Sequence, residues 1–202
     1  GAKVAFSGKV GKDDLGTFCV NCLQSKNVDT SMVSFDDVNG TGLTVVLNYG
    51  EDRAMVTYQG AMKTFCLKDI NLNLLTEAKH LHFSNYFLQP GIGEDILSIF
   101  KKAKEMGLTV SFDPQSDPEE KWDLDLKKIL PYVDVFLPNK IEFLGLTGSY
   151  DWEKSMHDLR QYANIIAMKA GKTGSYVYHE NKIIHGAPFR NKRVVDAIGA
   201  GD

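Results

Sequence analysis

Strand-length apolar runs alternate with helix-period segments along most of the chain, and that rhythm restricts it to an α/β architecture. The run Val4–Ser7 ends at Gly8. Asp13 or Asp14 can then cap a helix to about Lys26, with Leu15, Phe18, Cys19, Cys22 and Leu23 on its apolar face. His80–Phe83 reads as a strand, followed by a helix from about Gly91 to Met106 and a strand over Leu108–Phe112. A second round predicts a helix near Asp123–Leu130, the strand Val133–Leu137 and a helix opening at Asn139. A third predicts the helix Trp152–Tyr162 and the strand Ile165–Met168. Apolar strands separated by helices imply a doubly wound, mostly parallel sheet, with residues 1–202 as a single α/β domain.

The segment Thr41–Tyr58 breaks the rhythm. Leu43–Tyr49 and Arg53–Tyr58 are β-rich and flank the turn Gly50-Glu51-Asp52, which predicts a hairpin inserted over residues 41–60. A two-stranded ribbon has no core of its own, so it serves either as a lid over a site or as a surface joining two copies. Strand alternation puts Thr44, Val46 and Asn48 on one face and Leu43, Val45, Leu47 and Tyr49 on the other.

Charge narrows the function. The 202 residues carry 23 Lys and Arg against 26 Asp and Glu, a net charge of -3, without the basic excess of a nucleic-acid binder. No apolar run approaches the roughly 18 residues of a membrane span. Three cysteines, Cys19, Cys22 and Cys66, suit a reducing compartment, so the expected location is cytoplasmic. Cys19 and Cys22 fall mid-helix with no second pair to complete a zinc site, and His80 and His82 share a strand face without a third ligand.

Ligands of such sheets bind beyond the carboxyl ends of the strands, which singles out Asn85, Asp113, Asn139, the turn after Lys169 and the C-terminal glycines. The turn Gly199-Ala200-Gly201 can aim successive backbone N–H groups at a phosphate, and Asp202 follows where a carboxylate could deprotonate an attacking hydroxyl or simply cap a helix. Asn139 and Glu142 share one face of a first helical turn, an arrangement that suits ligand chemistry and a helix-capping pair alike. Lys169–Gly174 ends a strand in a glycine turn, with Gly171 and Gly174, where bare backbone can approach a nucleotide phosphate or simply join one strand to the next. It is no P-loop, because Ile166 stands where that motif needs glycine.

These stretches fall in a recognisable order. Val194–Asp202 resembles the Asp-Thr-x-Gly-Ala-Gly-Asp signature of the ribokinase-like (PfkB) carbohydrate kinases, with Ala197 in place of Thr. Val10–Gly16 resembles that family's early Gly-x-Asp-x-x-Gly turn, and Asn27–Ser31 its Gly-Val-Asp-Thr-Ser segment. Phe112–Gln115 resembles Phe-Asp-Pro-Asn, with Gln115 for Asn, while Asn139–Glu142 matches Asn-x-x-Glu and Lys169–Gly174 matches Lys-x-Gly-x-x-Gly.

The resemblance implies an ATP-dependent sugar kinase that uses Mg²⁺, with a sugar held between the sheet edge and the hairpin lid. It implies Asp202 as catalytic base, and the backbone of Gly199, Ala200 and Gly201 as the hole for the transferring phosphoryl group. Asn139, Glu142, Lys169, Gly171 and Gly174 would bind nucleotide and Mg²⁺, with Glu142 as the metal-side carboxylate. Asp196, with the Ile198 carbonyl, would coordinate a monovalent cation such as K⁺. Thr44, Val46, Arg53, Tyr58 and Asp113 would meet the sugar, and the apolar lid face would meet a second copy in a homodimer. A nucleoside kinase and a non-catalytic sugar- or nucleotide-binding regulator are the alternatives. The motif order also implies a chain that opens after the family's first strands and stops on its base.

Overall fold

The chain divides into two compact units, Gly1–Asn73 with Leu88–Asp95 and Leu74–Phe87 with Ile96–Asp202, and the computed structural model describes residues 2–49 and 52–189. In the first unit β1 (Val4–Gly11), α1 (Asp14–Ser25) and β2 (Val28–Asp36) form a β-α-β motif with the strands parallel. Asp13 caps α1 by accepting the Gly16 N–H at 2.8 Å. A Cβ at Gly16 would stand 2.2 Å from the Gly11 carbonyl oxygen, so the helix meets the strands through bare backbone. The face expected to be apolar and buried is therefore turned outward, with Leu15 45% and Phe18 64% exposed. Asp13 also accepts from the Thr41 N–H at 2.7 Å and hydroxyl at 2.6 Å, and these bonds, the hydroxyl's foremost, hold its carboxyl below the usual range.

Two residues later the expected hairpin forms from β3 (Leu43–Tyr49) and β4 (Asp52–Tyr58). Its register sets Leu43 opposite Tyr58, Val45 opposite Val56 and Leu47 opposite Ala54, which makes one face apolar over those three pairs. The other face carries Thr44, Val46, Met55 and Thr57, with the two threonine hydroxyls 3.0 Å apart.

The second unit is built on β5 (His80–Ser84), α2 (Asp95–Glu105), β6 (Thr109–Asp113), α3 (Leu126–Ile129) and β7 (Val135–Phe136). It continues through α4 (Lys140–Thr147), α5 (Trp152–Leu159), β8 (Ile165–Lys169), β9 (Ser175–His179) and β10 (Lys182–Gly186). The sheet order is β10-β9-β8-β7-β6-β5, parallel from β5 to β8 and antiparallel from β8 to β10. Right-handed crossovers between strands placed consecutively put their helices on one face. On the apolar side Phe112 is fully buried, stacked 5.7 Å from Phe136 and edge-on to Phe100 at 5.5 Å. On the other side His80 and His82 bond the hydroxyls of Thr109 and Ser111.

Four elements are shorter than expected: α2 opens at Asp95 rather than Gly91, α5 ends at Leu159 rather than Tyr162, and α3 and β7 are cut short as well. Asp125 takes the N-cap of α3, accepting from the Lys127 and Lys128 N–H groups, so the helix starts three residues late. β7 stops at Phe136 because Pro138 has no N–H for a ladder and Asn139 already caps α4. Among the described residues no helix is long and apolar enough to cross a membrane.

Trp122 seats its indole against Gly145 of α4, where a Cβ would come within 2.5 Å of the ring, and Phe87 meets the same ring edge-on at 5.6 Å. Gly145→Ala should therefore destabilise the protein by about 1–3 kcal/mol through overpacking, read as a lower urea midpoint with unchanged slope.

Candidate active site

Beyond Phe136 the chain still runs between β6 and β8, with the Leu137 N–H on the Phe112 carbonyl, and side chains of β6 and β8 meet at the carboxyl edge of the sheet. Strand parity puts Asp113, the last residue of β6, and Lys169, the last of β8, on the same side. Asp113 is 5% exposed, and the Lys169 ammonium donates to its Oδ2 at 2.5 Å. Backbone bridging between Asn139 and Lys169, with the Lys169 N–H on the Pro138 carbonyl at 2.9 Å, brings the start of α4 to the same place.

There Asn139 and Glu142 make a complete capping box. The Glu142 N–H donates to Asn139 Oδ1 at 2.9 Å, and the Asn139 N–H donates back to Glu142 Oε2 at 2.7 Å. The Asn139 amide and the Ser116 hydroxyl both donate to Glu142 Oε1, at 2.5 and 3.4 Å. The two readings of the pair, cap and ligand, are thus compatible: Oε1 is filled, while Oε2 keeps a free lone pair.

Burial pushes the Glu142 carboxyl above the ordinary 4.5; the negative charge of Asp113 adds to the rise, while the Asn139 N–H, Lys169 and Ser116 oppose it. A cation would relieve that strain. Mg²⁺ takes one or two carboxylates and keeps waters and phosphate oxygens for the rest, so Glu142 and Asp113 fit it. Among the described residues no three His, Cys, Asp or Glu form an all-protein metal cage.

The glycine turn lies just beyond Lys169. Residues Gly171–Thr173 make one helical turn, and Gly174, at φ 95°, lies where a Cβ would be 2.0 Å from the Gly186 carbonyl oxygen. Only glycine fits there.

Of the residues singled out in the sequence, Asp113, Asn139, Glu142, Lys169, Gly171 and Gly174 converge in the second unit. Asp196, Gly199, Ala200, Gly201 and Asp202 lie outside the described residues. Thr44 and Val46 share one face of the hairpin, but Tyr58 stands on the opposite, apolar face beside Leu43; Arg53 pairs opposite Asn48 in register. Ser116 was missed, although its place just after the Asp113-Pro114-Gln115 turn was a signal. Asn85 was seen only as an edge residue. It sits at φ 66° with its N–H on the Asp113 carbonyl, and among the described residues its buried Oδ1 accepts no hydrogen bond.

The sign of the Glu142 shift yields a test. With its folded value above 4.5, the folded state keeps a proton that the unfolded chain releases. That contribution is complete below 4.5 and is lost as pH rises through the raised value. The stability of the wild type relative to Glu142→Gln should therefore fall as pH rises through that window, measured by urea unfolding at a series of pH values without nucleotide or metal.

Residues 1–202 match the family model described as pfkB family carbohydrate kinase. An uncharacterized sugar kinase of Archaeoglobus fulgidus is 28% identical over 100% of this chain and 80% of its own length. A 2-dehydro-3-deoxygluconokinase of Bacillus subtilis is 29% identical over 100% of this chain, which spans 66% of that relative. The fold also superposes on a putative ribokinase II from E. coli solved with ATP and Mg²⁺, at TM-score 0.84 and 23% identity, covering 100% of this chain and 67% of that one. With the whole of its length inside one family model, this chain belongs to the pfkB family of carbohydrate kinases.

Proposed function

We propose that the chain phosphorylates a sugar hydroxyl with ATP. The observation that carries this reading is the cluster of Asp113, Lys169, Asn139 and Glu142 at the carboxyl edge of the parallel strands, next to a glycine turn. Phosphoryl transfer needs positioning and charge stabilisation more than covalent chemistry, and these groups supply both.

Lys169, held by Asp113, offers a cation to the nucleotide phosphates. Gly171, with open space where a Cβ would stand, lets phosphate oxygens approach the backbone, while Gly174 closes the turn against Gly186. Glu142 would hold Mg²⁺ through its open Oε2 and its waters, with Asp113 as the second carboxylate; when bound, the ion neutralises charge on the β- and γ-phosphates. Asn139 keeps the Glu142 carboxylate oriented. We assign Asp202 the role of base toward the attacking hydroxyl, and the N–H groups of Gly199, Ala200 and Gly201 the role of phosphoryl hole. Asp196 would take a monovalent cation.

On the hairpin, the face with Thr44, Val46 and Asn48 suits sugar hydroxyls, with Arg53 opposite Asn48 in register. The apolar face suits a second copy: Leu43, Val45, Val56 and Tyr58 are each 48–62% exposed. An ATP-consuming enzyme with unpaired thiols at Cys19, Cys22 and Cys66 fits the cytoplasm.

ADP release measured across a panel of sugars and nucleosides tests the reaction. Sugar-dependent release is expected. Release only with nucleosides would favour a nucleoside kinase, and binding without release a regulator. Asp202→Asn should lose most turnover, by about 10²-fold or more, with an unchanged melting temperature. Near-normal turnover would overturn its role as base. Val45→Glu should convert a dimer to a monomer in sedimentation, and a wild type that is already monomeric would remove the hairpin interface.

A further inference from the structure

The peptide between Thr173 and Gly174 is held from both sides. Its N–H donates to the Gly171 carbonyl at 3.0 Å. Its carbonyl oxygen, on Thr173, lies 2.7 Å from Nε2 of His185. A carbonyl can only accept, so Nε2 carries a proton, as it does in the neutral Nε2–H tautomer and in the imidazolium alike.

The imidazole is itself fixed. Antiparallel pairing of β9 and β10 places His185 opposite Tyr176, with the two rings 4.8 Å apart and inclined by 31°. Tyr176 packs in turn on Trp152, the first residue of α5, at 4.4 Å. Three rings thus run from a helix start to one donor atom aimed at the glycine turn. The turn needs such a hold, because Gly174 at φ 95° has no Cβ to hinder rotation of the peptide that precedes it.

We propose that His185 is a positioning residue for nucleotide: it locks the Thr173–Gly174 peptide so that the turn presents its backbone in one orientation to the phosphates. This rests on the reading of that turn as the nucleotide site. No group from the sugar side is involved, so the effect should fall on nucleotide affinity alone.

Two variants separate the donor from the ring. His185→Phe keeps a ring to stack on Tyr176 but cannot donate, whereas His185→Gln keeps a donor at nearly the position of Nε2 and loses the ring. Steady-state kinetics should show the KM for ATP raised about fivefold in His185→Phe, the scale of one neutral hydrogen bond, with kcat and the KM for sugar within about twofold. His185→Gln should recover most of that loss. Amide exchange across residues 171–174 without nucleotide should be faster in His185→Phe and restored in His185→Gln. Equal KM values for ATP in wild type and His185→Phe, or equal exchange in all three proteins, would overturn the proposal. A KM loss that His185→Gln fails to recover would assign the effect to the ring and overturn the donor role. Wild-type protein that binds no adenine nucleotide would instead sink the reading of the turn, and this role with it.

Discussion

A carboxylate that is only 5% exposed cannot stand alone, and the pairing that Asp113 requires organises the centre of the second unit. Lys169 supplies the countercharge from two strands away, its long side chain reaching Asp113 at the carboxyl edge where β7 gives way to α4. Removing Lys169 would leave a buried charge uncompensated, an error worth roughly 3–5 kcal/mol. The ends of β6 and β8 and the start of α4 are thus brought to one corner. Glu142, close enough to feel the Asp113 charge, adds a second acid to the same corner and makes it receptive to cations.

Much of this was legible in the sequence because it rests on local chemistry. The cap at Asn139 was readable from its spacing to Glu142, and the hairpin from its alternation around a turn. The glycine turn after Lys169 was readable because only glycine tolerates the backbone it adopts there. What stayed hidden depends on distant partners. The ion pair joins residues 56 positions apart, and no periodicity encodes it. β2 was overlooked because Val28–Asp36 mixes Asp, Thr and Ser into its strand positions and shows no clean apolar run. The face of α1 was misjudged because periodicity finds the apolar stripe but cannot foresee that Gly16 lets the helix approach β1 through its backbone instead.

The hairpin shows how register turns one sequence into two surfaces. Every directly opposed pair on one face is apolar from Leu43 and Tyr58 to Leu47 and Ala54, while threonine faces threonine on the other. Tyr58 could be assigned to the right face only by knowing its partner. A slip of one residue would exchange the faces, so the turn that fixes the register also decides which chemistry each side presents.

The capping box of α4 gives Asn139 and Glu142 a structural reason to be kept. Asn139 and Glu142 satisfy each other's backbone and hold the helix start while facing the corner where Asp113 and Lys169 meet. On the proposed function, one pair of side chains serves both folding and charge handling. Under that reading a substitution at either position costs the helix cap as well as the site. A lineage that abandoned catalysis but kept the fold would still be held to this pair by its helix. Finding Asn and Glu here in a relative is thus weak evidence of activity, and the buried Asp113–Lys169 pair, which the fold also requires, is no stronger.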